Sequence, residues 1–153
     1  MVALVQAGEA FLTLAGRALR RHGLSAAGAQ VLGIIEGAGQ PTSPTVIAER
    51  LIVTTATVTT LLDTLERRAL IVRRPDPVDR RRVLVALTDK ARGVIDTFLP
   101  EIVALQTAVM AGVSESERAR LQRTLATMQA QLDCLDAAAV VAAARPRRRQ
   151  RLT

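Results

Sequence analysis

The side chains best suited to chemistry lie in one stretch of this 153-residue chain, residues 53–88. A threonine hydroxyl can donate to or accept from a base or a phosphate, and its methyl group can pack on thymine. An arginine guanidinium binds phosphate and can enter a narrow minor groove. These residue types therefore predict contact with DNA. The candidate contact residues are Thr54, Thr55, Thr57, Thr59, Thr60, Thr64, Arg67, Arg73, Arg74, Asp79, Arg80, Arg81 and Arg82.

The placement of charge supports the same interpretation. The chain carries a net charge of +7. Residues 67–82 contain seven arginines and two aspartates, and residues 145–151 contain five arginines and no acid, so the rest of the chain is mildly acidic. Two concentrated basic patches are typical of proteins that bind polyanions, most simply nucleic acid.

The threonines lie on a predicted helix for which Thr54 is the N-cap. Threonine is a poor helix former, so its density on one side of this helix needs a reason. A solvated face that tolerates poor helix propensity is the alternative, but the basic segment that follows favours DNA contact. The other side of the helix carries apolar residues at helical spacing and is predicted to be buried: Val58, Leu61, Leu62 and Leu65.

A second short helix is predicted directly before the threonine helix. Ser43 is suited to be its N-cap, and Pro44 is suited to its first helical position. The tight connection through residues 51–54 joins the two helices as in a helix-turn-helix. The expected apolar stripe of the first helix is Val46, Ile47, Leu51 and Ile52.

A β-hairpin is predicted after the threonine helix, with strands at residues 70–74 and 83–87 and an Arg- and Pro-rich loop between them. Asp79 stands two residues before Arg81, and we expect its carboxylate to hold the guanidinium in one pose. Arg81 is then suited to enter a narrow minor groove. A solvated charge run is the alternative, which the strand-turn-strand frame disfavours.

Helices are also predicted at both ends of the chain. Residues 2–21 form an apolar helix, and a second helix runs from Ser25 to about residue 36. Thr88 caps a long helix whose buried side reaches Val109, and Pro100 should kink or split it. A capping box at residues 114–117 starts the last helix, which residues 137–144 extend. Its apolar seam is Leu121, Leu125, Met128, Leu132 and Leu135.

The seam and the apolar first helix offer more apolar surface than one small lobe can cover. They predict pairing with a second copy of the chain rather than intrachain packing alone. The Arg-rich residues 145–151 predict a disordered tail, which either adds non-specific DNA affinity or only solubilises the chain.

Several classes of function are disfavoured. Cys134 is the only cysteine, which rules out an internal disulfide and fits a reducing cytoplasm. His22 is the only histidine, and neither a metal site, a cofactor site nor an activated nucleophile is evident, so no enzyme is predicted. We expect His22 at the surface of a helix end, with a ligand-pocket role as the alternative, and Cys134 in a core or an interface. Neither a secretion signal nor an apolar run of membrane-spanning length is found.

The stretch from the threonine helix through the hairpin resembles the MarR family of bacterial transcription regulators. That family shows a run of the form Leu-Glu-x-x-Gly-Leu-Val-x-Arg, then Asp-Pro-x-Asp-x-Arg, then a strand ending in Leu-Thr and a helix. Weaker likeness at residues 24–32 and 47–51 extends the resemblance over most of the chain to about residue 135. The positions that match the wing pattern are Leu65, Glu66, Leu70, Ile71, Arg73, Asp76, Pro77, Asp79, Arg81, Leu87 and Thr88.

The resemblance implies a homodimer of winged-helix lobes, often a repressor released by a small ligand or an oxidant. It implies that Arg81 contacts the minor groove, that Asp79 orients it, and that the helix after Thr54 enters the major groove. Two positions depart from the family pattern. Ala69 stands where glycine is usual, so a positive φ there would be strained. Thr60 stands where an arginine is common.

These features predict a mainly α protein with a small β-hairpin wing, in which terminal helices form a dimerisation domain around a winged helix-turn-helix lobe. The expected function is a sequence-specific, homodimeric repressor that binds near-palindromic double-stranded DNA and is released by a small hydrophobic or aromatic effector. A non-specific architectural DNA-binding protein and a winged helix used for protein contact are the alternatives. The expected segments are 1–23 and 89–144 for dimerisation, 24–88 for DNA binding, and 145–153 for the tail.

Overall fold

A computed structural model describes residues 2–135 of the chain. The predicted helical extension at 137–144 and the basic tail at 145–153 lie outside the described residues. The chain divides after Val109 into two compact units. The first unit contains helices α1 (Val2–Leu19), α2 (Ala26–Ala38), α3 (Pro44–Leu51), α4 (Thr55–Arg67) and α5 (Asp89–Val109), with strands β1 (Ile71–Pro75) and β2 (Val83–Leu87). The second contains helix α6 (Glu115–Cys134).

The predicted helix starts are confirmed by their caps. The Ser25 hydroxyl accepts the backbone N–H of Gly28 at 3.0 Å. Ser43 and Thr54 accept in the same way at the starts of α3 and α4. Ser114 begins α6 with the expected capping box. Each cap satisfies a backbone donor that the first helical turn cannot satisfy itself, which is why these residue types mark helix starts.

The core of the first unit lies between α2, α3, α4, the hairpin and the first half of α5. The predicted buried side of α4 is confirmed, with Leu61 only half-buried. The hairpin is antiparallel and pairs Ile71 with Leu87 and Pro75 with Val83. The largest fully buried side chains are Leu32, Ile47, Leu62, Leu70, Ile71, Val31, Val58 and Val85.

Two expectations about buried apolar residues are wrong, and of the two expected effects of Pro100, a kink or a split, the split does not occur. Ile52 is 73% exposed with φ 56°, because it caps α3 in the left-handed conformation that turns the chain toward α4. Pro100 does not split α5, which runs unbroken from Asp89 to Val109. Burial along α5 ends near Phe98 and Ile102, so Val109 at its end is exposed.

Helix α1 buries only its C-terminal part. Ala15 and Leu19 lie in the core, whereas Val5 and Leu12 are exposed. By length and composition, residues Val2–His22 would suffice to cross a bilayer. The packing of Ala15 and Leu19 into the core of the first unit instead makes this helix part of the lobe.

Helix α6 exposes its apolar seam. Leu121, Leu125, Leu132 and Leu135 are between 36% and 58% exposed, and Met128 is half-buried. Cys134, at its end, is also exposed in the single chain. Cys134 is therefore not a core residue of the single chain, and its place in an interface stays a prediction.

Candidate nucleic-acid interface

Arg73 fixes the base of the hairpin to α4. Its guanidinium lies 2.6 Å from a carboxylate oxygen of Glu66 and 2.7 Å from one of Asp63, and its backbone N–H also donates to Glu66. Both carboxylates lie on α4, one helical turn apart. We expected Arg73 to contact DNA, but its guanidinium is engaged by two acids of its own chain. Its role in the structure is to set the hairpin beside α4.

Two aspartates shape the loop at the tip of the hairpin. The Asp76 carboxylate accepts backbone N–H groups of Val78 at 2.8 Å and of Asp79 at 3.4 Å. The Asp79 carboxylate accepts the backbone N–H of Arg81 at 3.0 Å. Within residues 2–135, Asp79 makes no bond to the Arg81 guanidinium, so it orients Arg81 through the backbone and not through the side chain as expected.

Four arginines of the hairpin have uncommitted guanidinium groups. The four residues are exposed, and none of their guanidinium groups makes a hydrogen bond or an ion pair with another described residue. No described carboxylate engages these guanidinium groups, so they stay available to an external anion. They are Arg74, Arg80, Arg81 and Arg82.

The outward face of α4 carries the predicted threonines, and all of them are exposed. Three hydroxyls donate to carbonyl oxygens four residues earlier in the helix: Thr59 to Thr55 at 2.9 Å, Thr60 to Ala56 at 3.3 Å, and Thr64 to Thr60 at 3.0 Å. At the helix start, the hydroxyls of Thr54 and Thr57 bond each other at 3.0 Å.

Arg67 closes the same face at the C-terminal end of α4. Its guanidinium donates to the Asp63 carbonyl at 3.3 Å and to the Thr64 hydroxyl at 3.2 Å. These are weak, exposed bonds, so Arg67 remains able to contact an external anion.

Arg68, which the sequence analysis did not single out, ties the end of α4 to the α1–α2 junction. Its guanidinium donates to the carbonyl of His22 at 3.0 Å and to that of Gly23. Its own carbonyl accepts from Lys90 at 2.8 Å. The next residue, Ala69, has φ 55°. This is the strained conformation considered above for the position where the family usually has glycine.

His22 lies at a helix end, as expected, but it is only partly exposed. Its side chain is only 16% exposed, and its Nε2 lies 3.1 Å from a Glu101 carboxylate oxygen that Arg21 also contacts at 3.1 Å. Its ring centre lies 6.3 Å from that of Phe98. Within the described residues, no group of three or more His, Cys, Asp or Glu could hold a metal ion.

Helices α3 and α4, joined by a tight turn and followed by a two-stranded hairpin with free arginines, define a winged helix-turn-helix protein. The family model for the MarR family matches residues 22–82. The PecS regulator of Dickeya dadantii is 30% identical over 114 residues, which cover 73% of this chain and 69% of PecS. The YetL repressor of Bacillus subtilis is 38% identical over 76 residues, covering 50% of this chain and 46% of YetL.

Two solved structures are similar to this chain over most of its length. The transcriptional regulator PA3341 is 29% identical with a TM-score of 0.81, covering 88% of this chain and 98% of PA3341. CouR of Rhodococcus jostii RHA1, solved with p-coumaroyl-CoA, is 25% identical with a TM-score of 0.77, covering 82% and 88%. This chain belongs to the MarR family of helix-turn-helix transcription regulators, which are not enzymes. The match to YetL spans about half the length of that relative.

Proposed function

We propose that the protein is a homodimeric repressor that binds operator DNA, with α4 in the major groove and the hairpin in the adjacent minor groove. The observation that carries the proposal is the Arg73 bridge to Asp63 and Glu66. The bridge holds the hairpin, with its uncommitted arginines, against the helix that exposes the threonines. Two elements that contact neighbouring grooves must keep a fixed spacing, and two ion pairs in one guanidinium fork are suited to that task.

The hairpin arginines and the threonines at the start of α4 are suited to different parts of the DNA. Arg80, Arg81 and Arg82 lie on a narrow loop, where a guanidinium can enter a minor groove and benefit from its negative potential. Thr54, Thr55 and Thr57 surround the N-terminus of α4, where exposed hydroxyls and backbone N–H groups favour a phosphate.

The hairpin contact is tested with duplexes selected from a random DNA pool, measured across a salt series. Arg81→Ala should weaken binding about tenfold and reduce the slope of log affinity against log salt by about one. Arg123→Ala removes the same charge from an exposed position on α6 and should leave binding unchanged. Equal affinity of Arg81→Ala and wild type would contradict the minor-groove contact.

Sequence-specific binding is tested by shortening the chain after Ala144. The shortened protein should still enrich a defined sequence from the pool, because the proposed base contacts lie in residues 54–82. Loss of all binding on shortening would instead favour a non-specific architectural protein that depends on the tail.

The proposed homodimer rests on the exposed apolar surfaces of α1 and α6. A leucine seam at two residues per heptad is the pattern of a helix that packs against a partner helix. Two lobes would then bind half-sites about 10 base pairs apart. Sedimentation should give a dimer for wild type and a monomer for Leu125→Asp, whereas Gln122→Asp, a neighbouring exposed position, should remain dimeric. A monomeric wild type at micromolar concentration would contradict the proposal.

The proposed effector site is a groove of about 290 Å³ between the start of α2 and the C-terminal half of α4. Leu24, Leu61 and Leu65 supply apolar walls, and Thr60 and Thr64 of the proposed DNA-contact helix also line it. The relative CouR is solved with p-coumaroyl-CoA, which supports a hydrophobic or aromatic effector here. A ligand that binds more tightly to one position of α4 would shift the helix to that position. If that position fits DNA less well, the affinity for DNA falls by the same factor.

The effector is tested with a panel of phenols and phenolic acids, measured by their effect on operator binding. At least one should weaken binding, and Leu61→Trp, which fills the groove, should abolish that effect while keeping DNA affinity. A ligand that acts equally on Leu61→Trp would place the effector elsewhere.

A DNA partner also implies a cytoplasmic location.

A further inference from the structure

The middle of α4 presents hydrogen-bond acceptors and methyl groups but few donors. The hydroxyl hydrogens of Thr59, Thr60 and Thr64 are directed to carbonyl oxygens of their own helix, at 2.9, 3.3 and 3.0 Å. Each oxygen therefore offers lone pairs to an outside partner. The methyl group of each threonine belongs to the same exposed side chain.

No other side chain in this part of α4 replaces the missing donors. The segment from Thr54 to Glu66 contains no Arg, Lys, Asn or Gln. Its one exposed acid, Asp63, is an acceptor and is held by Arg73 at 2.7 Å. The Thr55 hydroxyl makes no bond within residues 2–135, but it lies in the first turn, where phosphate is the expected partner. Arg67 follows only at the end of the helix.

The four base pairs present different groups in the major groove. Guanine presents only acceptors there, namely N7 and O6. Adenine and cytosine present amino donors, and thymine presents a methyl group. Acceptors on the protein match the amino group of adenine and that of cytosine equally, so they do not separate the two kinds of base pair. The methyl groups of the threonines match the methyl group that only thymine presents.

We propose that the centre of α4 distinguishes operator sequences through the methyl groups of thymine, with Thr59 and Thr60 as specificity-determining residues. The inference rests on the proposed DNA-binding function and adds which bases α4 selects. The usual specific contact, an arginine or lysine on guanine, is absent from this part of the helix. Specificity then depends on several small contacts along α4.

The DNA side of the test replaces single thymines by deoxyuridine in the tightest duplex selected from a random pool. This change removes the major-groove methyl group and leaves base pairing and the minor-groove edge as they were. At positions that α4 contacts, loss of a buried methyl group should weaken binding about fourfold. Thymines that face only the hairpin should show no change.

The protein side uses two near-isosteric substitutions at Thr59. Thr59→Ser keeps the hydroxyl and removes the methyl group, so it should bind the thymine and deoxyuridine duplexes equally at the contacted position. Thr59→Val keeps the methyl group, so its thymine preference should remain about fourfold. The same pair at Thr60 tests the second residue. Both changes are small and exposed, so folding should be preserved.

The outcomes separate this inference from the proposed function. If every deoxyuridine duplex binds as tightly as its thymine parent while Arg81→Ala still weakens binding, the DNA-binding proposal stands and the thymine contact is overturned. A selected half-site with no thymine under α4 would also overturn it. If no sequence is enriched from the pool, the operator-binding proposal fails, and the inference fails with it.

Discussion

Replacement of Ala69 by glycine should stabilise the protein. Ala69 has φ 55°, in the left-handed region that costs a residue with a β-carbon about 1–2 kcal/mol and costs glycine almost nothing. The bonds that hold this position use only its backbone: its N–H donates to Glu66 and its carbonyl accepts from Thr88 at 2.8 Å. Glycine keeps both bonds, and the lost methyl group is exposed.

The expected gain is smaller than the full strain. Glycine has more freedom in the unfolded chain, which offsets about 0.4–1 kcal/mol. The net increase in the free energy of unfolding for Ala69→Gly should therefore be about 0.5–1 kcal/mol, or roughly 1–4 °C in Tm. Urea unfolding at a fixed protein concentration measures it directly.

The control makes the same chemical change where the backbone is helical. Ala104 is exposed within α5, and Ala104→Gly should lower stability by about 1 kcal/mol. The two substitutions therefore have opposite predicted signs. A neutral or destabilising Ala69→Gly beside a destabilising Ala104→Gly would refute the argument that left-handed strain is stored at the end of α4.

Two further predictions concern the contacts that hold α4 in place. Gly23→Ala should cost about 0.5–1.5 kcal/mol more than Gly39→Ala. Both glycines have a positive φ, but a β-carbon at Gly23 would lie 2.8 Å from the Arg68 guanidinium and displace it from the carbonyls of His22 and Gly23. Equal losses in urea unfolding would contradict this role of Arg68. Arg73→Met should lower stability by about 1 kcal/mol, less at high salt, because its two ion pairs are partly exposed. Arg74→Met should change stability by no more than about 0.5 kcal/mol and should weaken DNA binding instead. A loss of stability for Arg74→Met but not for Arg73→Met would contradict these roles.

Helix α4 is bounded by strained backbone at both ends. Ile52 before it and Ala69 after it are the two non-glycine residues with positive φ among residues 2–135. For a β-branched side chain such as isoleucine this conformation is unusual. Such strain persists only where the surrounding structure enforces it, and it concentrates at functional sites. Here the buried side of α4, with Val58, Leu62 and Leu65 in the core, holds the helix between the two strained turns.

The sequence by itself determined the features that depend on near neighbours. Ser43, Thr54 and Ser114 mark helix starts because each cap bonds a backbone group three residues away. The alternation in residues 83–87 and the loop rich in proline predict the hairpin for the same local reason. The family motif then indicated a winged helix-turn-helix, and it marked Ala69 as a position where a positive φ would be strained, which is the conformation that the structure has.

Only the tertiary structure decided which charged groups are free. Arg73 and Arg74 are neighbours in sequence, but only Arg73 reaches the carboxylates of α4. The two acids and Arg73 stood in the sequence at suitable spacing, yet which arginine they engage depends on how β1 leaves the helix. Arg68 and His22 act over more than 40 residues of chain, and local patterns carry no signal of such contacts. The density of threonines predicted a DNA-contact face on α4. The direction in which each hydroxyl donates, and so whether it can accept a hydrogen bond from a base, is decided by the folded helix.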